Sequence, residues 1–400
     1  MDEISSHIKM HKAESTTKDG TKYLLEVANR QYFVGELIYF IIHQLQSKKT
    51  LKEISDNVNF KYKPEPFLTD CDIKEIVKKN IRPLGVFENS IIESKVNTSI
   101  KAKITLFSVN AINLICNPIK FLFSPLFFFI NALILLAINL YFIFWANSPL
   151  IKFDISSGGV GYYLLMYPGL IILTLIHEFG HSAATLKFKV QPKSIGFGFY
   201  YLLPVLYTDI SGIWRLSKKK RTIINLAGIY MQLLSNSIIL LISLLIENVT
   251  ITSFLYYLAL VNTSIIIINL LPFIKYDAYW LYSDLSGINN LQSKSVELLK
   301  KLFLNLFRKV NGEIKNTKPS LIIFSICRGT FFILVYYLIL KAFYVEMTSI
   351  SIVLEIFKYF HLSTMTILFT IRVLFIYVFG LVVSYSIIRM IWSFSLNYRK

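Results

Sequence analysis

"YYLLMYPGLIILTLIHEFGHSAAT", residues 162–185, begins as a segment fit for lipid and ends in two histidines and a glutamate. Ionisable groups in an apolar span cost about 3 kcal/mol each on insertion scales and by default mark function. On a helix, residues four apart share a face, so His177 and His181 point the same way with Glu178 beside them. Two imidazoles so spaced can bind one Zn2+, and the glutamate can serve the attacking water as general base. With six histidines in 400 residues, this H-E-x-x-H pattern is expected by chance only about 0.003 times. A helix that buried three such side chains without purpose would still have to find each a partner.

The rest of the chain supports a mainly α, polytopic membrane protein. Hydrophobic residues make up 54% and charged residues 16%, against about 25% charged in an average soluble domain. The net charge of +18 is read as basic loops on the cytoplasmic side of a membrane rather than as a nucleic-acid surface. Cys71, Cys116 and Cys327 lie far apart and form neither a metal-spaced pair nor a disulfide framework. Residues 1–22 are polar, with no basic-then-apolar signal, so the N-terminus is expected to stay in the cytoplasm. The Ile, Lys and Asn bias resembles that of an AT-rich bacterial genome.

Residues 1–104 read as a small cytoplasmic α+β domain of winged-helix character. "KYLLEVANRQYFVGE" predicts two strands about a turn at Asn29-Arg30. "GELIYFIIHQLQSKK" has helical periodicity. Thr50, with Glu53 three residues on, caps a second helix, and Thr69 or Asp70 caps a third that ends before Pro83. Residues 105–118 are too short and polar to span and read as an interfacial segment. The remaining domain, 119–400, carries six apolar runs long enough to cross a bilayer: near 120–146, 160–187, 221–246, 252–271, 320–342 and 365–391. Loops 187–221 and 272–319 hold 8 Lys and Arg each, whereas 247–251 holds none and Lys152 and Lys358 stand alone in theirs. That asymmetry predicts a multi-pass cell-membrane protein with both termini cytoplasmic. It also brings the ends of the second and fourth spans to one side.

A catalytic zinc keeps three protein ligands and an open position. His7, His11 and His43 lie in the soluble part and His361 on the far side. Asp277, directly after the fourth span in "NLLPFIKYDAYW", reaches the level of His181 and is favoured as third ligand. Pro272 ends that span, and Asn269 can hydrogen-bond the freed backbone. Asp209 in "YTDISG" competes, or acts as a carboxylate orienting an imidazole.

These residues resemble the site-2 proteases, intramembrane zinc metalloproteases whose pattern pairs H-E-x-x-H with N-x-x-P-x-x-x-L-D-G on a later span. Here they stand as "HEFGH" and "NLLPFIKYDA": Asn269, Pro272 and Asp277 match, Tyr276 replaces Leu and Ala278 replaces Gly. If that backbone needs a positive φ, alanine is strained there by about 1 kcal/mol. "YLLPVLYTDISGIWRLSKKKR", "NLAGIYMQ" and "YWLYSDLSG" further resemble a bacterial subgroup of peptide zinc metalloproteases linked to modified-peptide pathways. Related proteases use a stretch like "IGFGFYYLLPVLY" (195–207) as a hairpin or edge that presents substrate. Gly228 and Gln232 in the third span are candidates to line the site. Residues 20–90 resemble the leader-recognition fold of ribosomal peptide pathways, where a peptide adds a strand to a sheet edge; "KYLLEVA" is expected to be that edge. Basic residues there are interspersed with acidic ones, against nucleic-acid binding.

The resemblance implies a zinc endopeptidase in which His177, His181 and Asp277 hold one Zn2+ and Glu178 is the base. Its substrate would be a small ribosomal peptide or membrane-tethered leader cleaved near the cytoplasmic face. A peptide-modifying enzyme and an exporter of the same pathway are the expected partners. Two alternatives stand beside it: a non-catalytic peptide exporter or immunity protein, and a regulatory protease releasing a membrane-bound transcription factor.

Overall fold

The computed structural model describes residues 8–12, 22–27, 30–87, 100–144, 159–200, 203–288, 290–308 and 317–348. The sixth expected span, 365–391, lies outside them, as do His361 and His7. The chain divides into two compact units, Met1–Gly287 and Ile288–Lys400.

The first unit opens with a three-stranded antiparallel sheet, β1 (Lys9–Lys12), β2 (Lys22–Val27) and β3 (Arg30–Gly35), in that spatial order. β2 is the central strand, which corrects its expected role as the exposed edge; β1 and β3 are the edges. The alternation that marks β1 is only two apolar residues long, Ile8 and Met10, both turned to the core, too short to announce a strand. Helices α1 (Glu36–Gln46), α2 (Leu51–Tyr62) and α3 (Asp70–Ile76) follow. Thr50 and Glu53 form a reciprocal capping box on α2, and Thr69, rather than Asp70, forms one with Asp72 on α3. Each box satisfies donors that the first helical turn leaves free. Leu25, Val27 and Val34 pack on Ile41, Ile42, Ile54, Val58, Ile73 and Ile81 to close this core.

Strand β4 (Ile100–Phe107) then pairs with β5 (Ile195–Tyr200), and β5 with β6 (Leu203–Thr208), all antiparallel. The boundary expected at 104/105 therefore falls inside a strand. The first three residues of the interfacial segment, 105–107, end β4, and most of the rest forms helix α4 (Val109–Cys116). Pairing partners 90 residues away decide this, and no local pattern could show it.

Helices α5 (Pro125–Phe144), α6 (Gly159–Lys187), α7 (Lys218–Ser243) and α8 (Val249–Asn269) carry four segments long and apolar enough to cross a membrane. The short α9 (Asp277–Ser286) completes the unit. α7 is the central helix: its apolar window is 56% buried, against 22% for that of α5. α6 and α7 cross tightly because Gly180 faces the Ala227 carbonyl, where a Cβ would come within 2.6 Å. Small residues permit such approaches between membrane helices. In the second unit, α10 (Leu291–Arg308) packs on α11 (Pro319–Thr348), whose Pro319–Ala342 segment is the fifth apolar helix of spanning length.

Candidate metal centre

α6 places His177, Glu178 and His181 on its buried face, each less than 9% exposed. Beyond α8 the chain turns at Pro272 and starts α9 at Asp277, in whose first turn a carboxylate suits the helix dipole. Asp277 Oδ2 and Oδ1 lie 3.2 Å from His177 Nε2 and 3.3 Å from His181 Nε2. The two Nε2 atoms are 3.1 Å apart. Among the described residues, these three form a group that could hold a metal ion.

The hydrogen bonds behind the rings say what this triangle is. His181 Nδ1 lies 2.8 Å from the Ile224 carbonyl, which can only accept. His177 Nδ1 lies 2.9 Å from Gln232 Oε1, also an acceptor. Both Nδ1 atoms therefore carry the proton, and neutral rings turn Nε2 lone pairs toward each other and toward the carboxylate. Three lone-pair atoms in a buried space need a cation, either a shared proton or a metal ion. Asp277 Oδ2 is buried and receives no hydrogen bond, which a proton held between the rings leaves unrelieved. A tetrahedral zinc with bonds of about 2.0–2.1 Å sets its ligand atoms about 3.3 Å apart; the two Nε2 atoms, 3.1 Å apart, and the distance from each ring to its nearer Asp277 oxygen, 3.2 and 3.3 Å, are of that size. Two imidazoles and a carboxylate suit that metal.

Glu178 stands at the same cavity, its Oε2 accepting a 2.6 Å hydrogen bond from Thr208 Oγ1 at the end of β6. The cavity measures about 1080 Å3, and Asn269, Gln232 and Asp209 also line it. Pro204, Val205, Leu206 and Tyr207 bring the outer strand β6 into its wall. Trp214 and Trp280 stand edge-on at its rim, and Phe33 of β3 meets Trp214 with ring centroids 6.1 Å apart.

Several expected roles come out differently. Asp209 orients no imidazole: its Oδ1 accepts from the Ser211 backbone in the turn after β6. Asn269 lines the cavity and makes no side-chain hydrogen bond to backbone among the described residues. Ala278 lies in the first turn of α9 and is absent from the residues with positive φ, so it carries no such strain. Gly228 leaves room for an imidazole, since a Cβ there would meet His177 Nε2 at 2.4 Å. Gln232 does more than line the cavity, because it holds His177.

Four groups here were not singled out from sequence: Thr208, the Asn236–Asn262 pair behind Gln232, Asn225, and the Arg221–Asp284 ion pair. Arg221 donates to Asp284 through Nε (3.0 Å) and Nη2 (2.9 Å), and Asn225 adds a bond to the same carboxylate. This ties α9, and with it Asp277, to α7. The available signal was the run Asn225, Gly228, Gln232, Asn236, one face of an otherwise apolar helix. No family model, curated protein or solved structure matches the chain.

Proposed function

We propose that this chain is a membrane-embedded zinc endopeptidase that cleaves a small peptide or a membrane-tethered leader near the cytoplasmic face. The observation that carries it is the triangle of His177, His181 and Asp277 with Glu178 beside it in one cavity. Five apolar helices of spanning length support the membrane setting. His177, His181 and Asp277 would hold the ion. When bound, zinc polarises the scissile carbonyl and makes water more acidic.

The remaining steps belong to the chain. Glu178 takes a proton from the attacking water and returns it to the leaving amine nitrogen. Thr208 holds Glu178 Oε2 and so fixes the direction of the carboxylate. β6, an outer strand in the cavity wall, can hold an extended peptide by backbone pairing, which exposes a carbonyl that a helix would hide. The largely apolar lining suits an apolar peptide segment.

The absence of strain at Ala278 removes the residue that spoke for a non-catalytic exporter or immunity protein. Glu178 also argues against it, since metal binding alone needs no base. A regulatory protease would share these residues. The N-terminal sheet, with edges at β1 and β3, favours recruitment of a peptide as a fourth strand.

The test is metal analysis of purified protein with cleavage of candidate peptides. Zinc at one per chain, kept by Glu178→Ala while cleavage is lost, is expected. Wild-type protein free of zinc, or full cleavage by Glu178→Ala, rejects the reading.

A further inference from the structure

We infer that a one-way chain of buried amides, Asn236–Asn262–Gln232, sets the tautomer of His177 and so makes it a ligand. The inference rests on the metal reading above. Gln232, Asn236 and Asn262 are each 0% exposed. A buried primary amide that found only one partner would be costly, yet here each amide answers the next.

The direction of the chain is fixed at its far end. Asn236 Nδ2 donates to the Ala259 carbonyl (3.2 Å) and to Thr263 Oγ1 (3.0 Å). The carbonyl can only accept, so Asn236 cannot be flipped without setting two oxygens face to face. Thr263 donates its own proton to Ala259 O at 2.8 Å, so its oxygen is an acceptor too. Asn236 Oδ1 must then face inward, where it accepts from Asn262 Nδ2 at 2.8 Å. Asn262 Oδ1 in turn accepts from Gln232 Nε2 at 2.9 Å. What remains for His177 Nδ1 is Gln232 Oε1, an acceptor. The ring must donate there, and its Nε2 is left bare for a metal ion. A backbone carbonyl on α8 thus specifies the protonation of a side chain on α6, through α7.

His181 has the simpler arrangement, a direct bond from Nδ1 to the Ile224 carbonyl. Among the described residues no backbone carbonyl bonds His177 Nδ1, and the amides stand in for one. Gln232, Asn262 and Asn236 are positioning residues: they act on the metal through His177.

The experiment is competition for zinc between the full-length detergent-solubilised protein and a chromophoric chelator, with Co2+ spectra as a second readout. Gln232→Leu should weaken zinc by about 10- to 100-fold, the usual effect of removing a partner of a ligating histidine. Gln232→Glu keeps an acceptor and should stay within about threefold. Asn262→Leu should weaken zinc less than Gln232→Leu. The double variant should be no worse than Gln232→Leu alone, because the two act in series. Additive losses, or equal loss in Gln232→Leu and Gln232→Glu, would show general packing and overturn the relay, as would Gln232→Leu binding zinc like wild type. Wild-type protein that binds no zinc overturns the metal reading and the relay with it. A zinc-loaded wild type with an unaffected Gln232→Leu overturns the relay alone.

Discussion

Gly228 on α7 stands against His177 on α6 so closely that a Cβ added to it would lie 2.4 Å from Nε2. The glycine is thus part of the ligand geometry, although it carries no polar atom of its own. Gly228→Ala should push the imidazole out of the triangle. Overpacking of this kind costs typically 1–3 kcal/mol, and here part of the cost falls on the metal. Zinc retention against chelator should drop by at least about tenfold. Retention at the wild-type level would show that His177 has another rotamer available.

Thr208 offers a cleaner separation of binding from chemistry. It bonds Glu178 through Oε2 and the backbone carbonyl and, among the described residues, makes no side-chain hydrogen bond to His177, His181 or Asp277. Thr208→Val should leave zinc stoichiometry unchanged and lower kcat by about tenfold, and Thr208→Ser should restore most of the loss. The expectation rests on general-base catalysis contributing about 100- to 10,000-fold, of which orientation is one share. Loss of zinc in Thr208→Val would contradict it.

The ion pair of Arg221 and Asp284 is buried, at about 5% exposure on each side. Removing one partner of such a pair strands a charge and costs about 3–5 kcal/mol. Asp284→Leu should therefore lower the unfolding midpoint sharply, and Arg221→Met should do the same. The double variant should recover much of the loss, as apolar replacements of buried pairs often do. Denaturant unfolding in detergent measures all three. A double variant as unstable as the sum would mean that the Leu216 and Trp214 carbonyls, which Arg221 also reaches, dominate.

How far the sequence reached depended on the range of each interaction. Capping boxes at Thr50 and Thr69 and the apolar helices are local, and they were legible. The grouping of His177, His181 and Asp277 was legible because H-E-x-x-H packs two imidazoles onto one face of one helix and the loop charges set Asp277 on the same side. β4 was not, since its partner lies some 90 residues on. The central place of β2 was hidden by β1, a strand of four residues whose apolar signal is Met10 with Ile8 beside it. Asn262 behind Gln232 could not be matched from spacing alone, because only the crossing of α7 and α8 brings them together.

Cys116 tests the packing around α4. Its thiol touches the Phe179 carbonyl, and burial pushes it up to about 12. The thiolate is the reactive form, so at pH 8 only about one thiol in ten thousand is reactive. The folded value lies above the unfolded one. Burial of the neutral thiol therefore costs nothing below about pH 9, and stability falls as pH rises from there toward 12. Cys71 is exposed. Iodoacetamide at pH 8 should modify Cys71 within minutes and Cys116 only after unfolding, read by mass spectrometry of peptides. Equal rates would mean that α4 opens from α6.

The orientation of the chain can be read from two exposed positions on α7 and its following turn. Lys219 lies in a run of four basic residues, Lys218 to Arg221, at the N-terminal end of α7. Glu247 lies beyond the other end, in a turn with no basic residue before α8. Basic loops stay on the cytoplasmic side, so Glu247 should face outward. The metal triangle then sits toward the cytoplasm, because Ile224, which holds His181, is near the basic end of α7. In a background lacking other exposed cysteines, Glu247→Cys should react with a membrane-impermeant maleimide in intact cells. Lys219→Cys should react only after the membrane is opened. The reverse pattern would turn the protein over and place its cleavage chemistry on the outer face.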